Sequence, residues 1–255
     1  MKFTFLGTGT SQGVPVIGCS CHVCSSTDPK DLRLRSAAML SSEDDKNLLI
    51  DCGPDFREQM LALGAEHLEA IVLTHEHNDH VIGLDDVRPL IFKSRRDMPI
   101  YAHSRVHAEL KVRFPYAFAQ ERYPGAPSFE LFPIEQNALE IGPFTLLPLP
   151  VLHYTLPIFG FRIKNLAYIT DASSIPEATL SKLEGLDYLI INCIRKSQAH
   201  PAHFVLEDLL PVIERIAPAR ALLTHISHQF GVHEEENALL PSHIQLAYDG
   251  QEIHF

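Results

Sequence analysis

The chain has 255 residues, of which 45% are hydrophobic, and a formal net charge of −11. This composition suffices for a full buried core, and no stretch approaches the roughly 18 consecutive apolar residues of a membrane span. The negative net charge argues against nucleic-acid binding through a broad basic surface. It is compatible with a small anionic substrate, because bound metal ions can dominate the charge of a site. Residues 1–7 resemble a strand rather than a secretory signal, so a cytoplasmic location is the default expectation.

The predicted elements, in chain order, are short apolar strands with a few helices between them. Strands are predicted at residues 2–6, 36–41, 47–50, 70–73, 144–149, 159–163, 166–169, 187–192 and 219–223. Helices are predicted at residues 54–63, 176–183 and 204–216. Residues 244–248 and 252–255 are expected to form a hairpin around Asp249-Gly250, whereas residues 81–135 give mixed signals. The absence of repeats or low-complexity linkers predicts one domain over residues 1–255.

Residue types that bind metals follow directly after several of these strands. His75, Asp171 and His225 each come after an apolar run that ends in Thr. Loops at strand ends on a rigid scaffold are where binding sites are built. We therefore expect one shared site at one edge of the sheet assembly.

The most informative motif is His75-Glu76-His77-Asn78-Asp79-His80, in which four of six residues are potential metal ligands. If the chain turns after the strand, His75 and His77 face one ion while Asp79 and His80 face a second. Neutral imidazole and carboxylate suit zinc and related first-row ions. Two ions about 3.5–4 Å apart can hold a bridging hydroxide and stabilise both the attacking and the leaving oxygen.

Three downstream residues are candidates for the remaining ligands. His153 follows the apolar run 147–152, and Asp171 and His225 follow strand-Thr pairs. Each of them alone would fit an ordinary turn residue or a core histidine. Together with the first motif, they supply the number of ligands that two metal ions need.

The order H-x-H-x-D-H, followed by a distant His, Asp and His, resembles the metallo-β-lactamase superfamily over essentially the whole chain. The resemblance implies an α/β fold, the αββα sandwich, with a dinuclear metal site at one edge of the sheets. It also implies two ligand sets that share a bridging residue: His75, His77 and His153 for one ion, Asp79, His80 and His225 for the other, and Asp171 between them. Asp51, which matches the family's acidic residue before a Gly, would orient a metal-bound His, cap a helix, or do both.

A second metal site is indicated by Cys19-Ser20-Cys21-His22-Val23-Cys24, where three Cys lie within six residues. In a reducing compartment such a cluster favours a metal site over a disulfide framework, with buried free thiols as the alternative. A structural zinc site normally closes with four ligands. His228, three residues after His225, is the best candidate for the fourth ligand, and His22 is a competitor within the loop.

Three segments narrow the resemblance. The CxCxxC loop, residues 7–15 and residues 224–230 resemble the phosphoribosyl 1,2-cyclic phosphate phosphodiesterases of the carbon–phosphorus lyase pathway. A family in pyrroloquinoline quinone biosynthesis shares the CxCxxC loop but lacks the intact H-x-H-x-D-H that this chain keeps. The resemblance implies two catalytic divalent ions, zinc or manganese, and one structural zinc. It also points to His203 as a residue that assists catalysis, with His200 as a close competitor and a surface role as the alternative.

These features predict a metal-dependent phosphodiesterase that hydrolyses a small phosphate diester, such as phosphoribosyl 1,2-cyclic phosphate, through a metal-bridging hydroxide. In this hypothesis Asp79 helps to orient the hydroxide, and His203 protonates the departing alkoxide. Neither a nucleic-acid partner nor a membrane partner is expected. A small-molecule substrate is the expected partner, and a homodimer is compatible with the pattern.

Three rival functions remain open. A ribonuclease Z-like RNA endonuclease is the main rival, but residues 154–170, where that family's tRNA-gripping arm would lie, read as two strands and a turn. A thioester hydrolase of the glyoxalase II type would not explain the Cys loop. A non-catalytic metal-binding module would be expected to carry a degraded metal motif, whereas all seven expected ligands are present.

Overall fold

Fourteen strands and seven α-helices make up the computed structural model, which describes residues 1–255. The strands are β1 (Lys2–Gly7), β2 (Ala37–Ser41), β3 (Asn47–Ile50), β4 (Ala70–Val72), β5 (Met98–Ala102), β6 (Phe129–Pro133), β7 (Leu139–Ile141), β8 (Phe144–His153), β9 (Leu156–Ile163), β10 (Leu166–Ile169), β11 (Tyr188–Asn192), β12 (Arg220–Thr224), β13 (Ile244–Leu246) and β14 (Glu252–His254). The helices are α1 (Phe56–Leu63), α2 (Asn78–Val81), α3 (Arg88–Ser94), α4 (Ser104–Arg113), α5 (Glu177–Leu180), α6 (Leu206–Ile216) and α7 (His233–Leu239). None of these helices is long and apolar enough to cross a membrane.

The strands form two mixed sheets of seven strands each. The order is β14-β1-β2-β3-β4-β5-β6 in the first sheet and β13-β12-β11-β10-β9-β8-β7 in the second. Strands β3 to β6 run parallel to one another, as do strands β10 to β13. Because the carboxyl ends of parallel strands meet at one edge of a sheet, the residues that follow β4, β10 and β12 can meet at a shared site.

Three apolar layers hold the sandwich together. Phe3, Leu48, Phe161 and Ile190 belong to one buried cluster that contains residues of both sheets and therefore fills the space between them. On the outer face of the first sheet, α1, α3 and α4 pack against a second cluster. On the outer face of the second sheet, α6 packs against a third. This arrangement confirms the predicted αββα sandwich, because each sheet buries one face against the other and one face under helices.

The predicted hairpin at the carboxyl terminus is wrong. Strand β13 pairs with β12 in the second sheet, whereas β14 pairs with β1 in the first. The turn at Asp249-Gly250 thus carries the chain from one sheet to the other. The carboxylate of Asp249 accepts hydrogen bonds from the backbone N–H groups of Thr8 at 2.8 Å and Leu34 at 2.7 Å. These contacts, far away in sequence, hold the turn in place.

Other differences concern element ends and the middle of the chain. The predicted strand at residues 144–149 continues to His153 as β8, and it pairs antiparallel with β9 from Leu147 to His153. This pairing brings His153 to the same edge as the other strand ends. The segment with mixed signals contains α3, β5, α4 and β6, and α7 was not predicted at all.

Candidate metal centre

The candidate ligands lie where the strands end. The segment after β4 supplies His75, β8 itself ends in His153, and the residues after β10 and β12 supply Asp171 and His225. Asp171 and His225 have positive φ values of 59° and 54°. This left-handed conformation is uncommon for residues other than glycine, and such strain is typical of functional sites.

The first group of candidate ligands is formed by three histidines. One ligand atom from each of His75, His77 and His153 lies within 4.8 Å of the others. The ring centroids of His75 and His77 are 4.6 Å apart, and those of His77 and His153 are 5.1 Å apart. Three imidazoles that converge in this way are a donor set for a divalent first-row ion.

The second group is centred on Asp171. One carboxylate oxygen of Asp171 lies 3.3 Å from Nε2 of His80, and the other lies 3.3 Å from Nε2 of His225. Asp79 Oδ2 is also 3.3 Å from Nε2 of His80. The ligand atoms of His75, His80 and Asp171 lie within 4.8 Å of one another, so the two groups adjoin. The structure therefore brings all seven predicted ligands to one edge, with Asp171 between the groups.

Hydrogen bonds at Nδ1 orient two of these imidazoles. His80 donates from Nδ1 to Asp51 Oδ2 at 2.7 Å, and Asp51 is fully buried. The hydroxyl of Thr74 donates to Asp51 and can therefore accept the Nδ1 proton of His75 at 2.9 Å. Because these bonds fix the proton on Nδ1, the Nε2 lone pairs are left for a cation. Nε2 of His75 and of His80 are buried and make no hydrogen bond that meets the usual geometry, which fits a metal ion at this position.

The same arrangement recurs at a second histidine of each group, His153 in the first and His225 in the second. His153 donates from Nδ1 to the backbone oxygen of Ala202 at 2.7 Å. The hydroxyl of Ser36 donates to the backbone oxygen of Gly9, so it can accept the Nδ1 proton of His225 at 3.1 Å. Nε2 is thus left for a cation in four of the imidazoles. His80, His153 and His225 are held by groups distant in sequence, whereas His75 is held by its neighbour Thr74.

The charges of the site favour a bound cation. Burial lowers the pKa of His75 well below its ordinary value, so this imidazole is neutral and available as a ligand. Burial opposes protonation of His80 too, but the carboxylates of Asp171, Asp51 and Asp79 outweigh it and raise the pKa of His80. Without an ion, a proton on His80 therefore balances part of the charge of these carboxylates. A metal ion at Nε2 would replace that proton.

His203 lies beside the candidate ligands, and His200 lies behind it. Nδ1 of His203 is 3.8 Å from Asp171 Oδ1, and it is buried without a hydrogen-bond partner. Burial lowers the pKa of His203 to about 3, so the ring is neutral when no anion is present. Nδ1 of His200 accepts the backbone N–H of Ala202 at 3.2 Å, and its ring centroid is 4.9 Å from that of His203. Of the two competitors, His203 is the one in contact with the ligand groups.

The Cys loop forms a separate group with His228. Nδ1 of His228 lies 3.3 Å from Sγ of Cys19 and 3.4 Å from Sγ of both Cys21 and Cys24. A tetrahedral zinc with bonds of about 2.3 Å to sulfur and 2.0–2.1 Å to nitrogen would separate these atoms by roughly 3.6 Å. The four side chains are thus spaced as the ligands of a closed zinc site. His22, the competing candidate, does not belong to this group.

Several functional contacts are invisible in the sequence. Ser36 and Ala202 orient ligands from distant segments, as described above. Arg105 pairs with Glu76 at 2.7 Å and so fixes the loop between the first two histidines of the motif. Only Asp51, placed before Cys52-Gly53, was signalled by a local pattern. The others depend on which strands become neighbours.

Comparisons with known proteins agree with this geometry. A family model for the beta-lactamase superfamily domain matches residues 46–226. The crystal structure of a new diphosphatase from the PhnP family is 42% identical to this chain, with a TM-score of 0.93, and the alignment covers 100% of this chain and 96% of that one.

Two curated relatives match over only part of their length. A protein of Porphyromonas gingivalis named octanoyltransferase is 38% identical over 253 residues, which are 99% of this chain and 51% of that protein. A coenzyme PQQ synthesis protein B of Rhodopseudomonas palustris is 29% identical over 169 residues, which are 62% of this chain and 53% of that protein. The chain thus spans about half the length of these two relatives.

The matched family model defines the class: the chain belongs to the metallo-β-lactamase superfamily, and its converging His and Asp side chains form a candidate metal site. Within that superfamily it resembles the PhnP family, represented by the diphosphatase structure.

Proposed function

We propose that this chain, as one domain over residues 1–255, is a phosphodiesterase that hydrolyses a small phosphate diester, such as phosphoribosyl 1,2-cyclic phosphate. The observation that carries the proposal is the position of Asp171, whose two oxygens face different imidazoles at 3.3 Å between two adjoining groups of ligands. Such a site suits two divalent ions, zinc or manganese. When bound, these ions supply an activated water and neutralise charge on the reacting phosphate.

The proposed ligands divide into two catalytic sets and one structural set. They are His75, His77 and His153 for one ion, Asp79, His80 and His225 for the other, Asp171 for both, and Cys19, Cys21, Cys24 and His228 for a structural zinc. Asp79, at the mouth of the second set, also orients the attacking water. His203 donates a proton to the departing oxygen, and an anionic phosphate beside its ring would favour the protonated form. Three clustered thiols suit a reducing, cytoplasmic environment.

A phosphoanhydride is the second candidate substrate, because the similar crystal structure is that of a diphosphatase. The rival tRNA-processing activity has less support, since residues 154–170 contain only the β9–β10 hairpin and no arm. The name of the Porphyromonas relative suggests acyl transfer, but about half of that protein lies outside the match.

The test of this function is an assay on three substrates, with and without chelation. We expect purified protein to contain about three metal ions per chain and to hydrolyse bis-p-nitrophenyl phosphate and a cyclic ribose phosphate diester. Chelation of the catalytic ions should abolish both activities, and manganese or zinc should restore them. Hydrolysis of a pyrophosphate ester alone would favour the second candidate. Turnover of an octanoyl thioester alone would contradict the proposal.

Loss of the structural zinc should leave the metal-dependent hydrolysis of a diester with a good leaving group largely intact. We expect Cys21→Ser to lower the melting temperature substantially and to remove one zinc per chain, while activity on a nitrophenyl diester is largely retained. The reason is that binding to a structural zinc site contributes directly to folding. His22→Asn is the matched control, because His22 lies in the same loop but outside the group of ligands. An unchanged melting temperature in Cys21→Ser would mean that the thiols bind no structural metal.

A further inference from the structure

The loop that carries His200 and His203 connects β11 to α6, and backbone hydrogen bonds close its base. The N–H of Ile194 donates to Phe204 at 2.9 Å, and the N–H of Leu206 donates to Arg195 at 2.9 Å. The loop also touches the catalytic site, since Ala202 accepts the Nδ1 proton of His153. The position of His203 therefore depends on the contacts that hold the middle of this loop, residues 196–203, in place.

The guanidinium of Arg195 holds the middle of the loop through hydrogen bonds. Nε donates to the backbone oxygen of Gln198 at 2.9 Å, and Nη2 donates to that of Ala199 at 3.4 Å. Nη1 donates to the side-chain oxygen of Gln229 at 2.9 Å. The side chain of Arg195 thus joins residues 198–199 of the loop to the segment that contains His228.

A second set of hydrogen bonds joins the residue before His228 to the same loop. The backbone N–H and the hydroxyl of Ser227 both donate to the backbone oxygen of Ile194, at 3.1 and 2.7 Å. The residues before and after His228 therefore both bind the loop of His203. His228 is grouped with the three thiols. The Cys/His228 group is therefore joined to the loop of His203 through both neighbours of His228.

We infer that Arg195 is a positioning residue, which holds His203 against Asp171 by fastening its loop to the anchor formed by Gln229 and the Cys/His228 group. The inference rests on the proposed function, in which His203 protonates the leaving oxygen. A planar guanidinium suits this role because its five N–H donors can serve several fixed acceptors at once. An ammonium group on a flexible chain retains the charge but not this geometry.

The experiment compares two phosphate diesters that differ in their need for a proton. We expect Arg195→Met to lose on the order of 10²-fold on an alkyl diester, since a misplacement of about 1 Å can have that effect. The loss on bis-p-nitrophenyl phosphate should be small, because nitrophenolate leaves without protonation. Arg195→Lys should resemble Arg195→Met. Amide hydrogen exchange of residues 196–203 should be faster in both variants, whereas the catalytic metal content should be unchanged.

Arg162→Met is the matched control. Arg162 also donates to several backbone oxygens, including those of Lys164 and Glu184 at 2.9 Å each. It lies near the end of β9 that is remote from His153. The activities on both diesters should stay at the level of the parent protein.

Other outcomes would separate the inference from the function on which it rests. His203→Ala is measured in parallel, alone and combined with Arg195→Met, and the double variant should lose no more on the alkyl diester than His203→Ala. If His203→Ala is selective for the alkyl diester but Arg195→Met loses equally on both substrates, Arg195 contacts phosphate directly and the inference is wrong. Full activity of Arg195→Lys would also overturn it, because charge alone would then suffice. A non-selective His203→Ala would instead contradict the acid role itself.

Discussion

Asp171→Asn should remove tightly bound catalytic metal and lower the hydrolysis of any diester by at least on the order of 10³-fold, since a metal Lewis acid supplies several kcal/mol of transition-state stabilisation. The substitution keeps the shape of the side chain but removes the charge between His80 and His225. An amide oxygen binds a divalent ion more weakly than a carboxylate, and its nitrogen cannot be a ligand. Both groups of ligands would then lose their shared residue.

The measurement combines elemental analysis with thermal unfolding. The parent protein should gain stability when catalytic metal is added, because ligands that bind only the folded state stabilise it, and Asp171→Asn should gain much less. Asp249→Asn is the control, since Asp249 is also a buried carboxylate but its partners are Thr8 and Leu34 rather than imidazoles. It should lose stability and keep its metal. Full occupancy of both catalytic ions in Asp171→Asn would contradict the bridging role.

The parts of the site that could be predicted from the sequence are those with a local signal. His75, Asp171 and His225 follow apolar strands, and the end of a strand can be recognised from a few neighbouring residues. The spacing of His77, Asp79 and His80 places them in one turn after β4. These patterns, together with the resemblance they support, were sufficient for the αββα sandwich and for the residues that meet at its edge.

The parts that could not be predicted depend on pairings between distant segments. The turn at Asp249-Gly250 is a strong local hairpin signal, but it cannot reveal that β13 and β14 have better partners in different sheets. The same holds for Ser36 and Ala202, which hold ligand imidazoles from more than forty positions away. Arg195 carries no local signal in the sequence, because its partner Gln229 comes 34 positions later.

His203→Ala should be much more damaging for an alkyl or sugar diester than for a nitrophenyl diester. An alkoxide is a poor leaving group, and general acid catalysis of its departure is typically worth roughly 10²–10⁴-fold. Nitrophenolate leaves readily and needs little such help. Nδ1 of His203 lies 3.8 Å from Asp171 Oδ1, and in the proposed site each catalytic ion has its full set of ligands without His203, so the metal content should not change.

His200→Ala is the internal comparison for this prediction. His200 lies behind His203, with ring centroids 4.9 Å apart, and its Nδ1 is already engaged with the backbone of Ala202. It should show a weaker effect of the same kind or none. A histidine that only binds phosphate would affect both diesters through the contacts that they share. Equal losses on the two substrates would therefore reject the acid role and leave His203 as a phosphate-binding residue, and no loss on either would remove it from the mechanism.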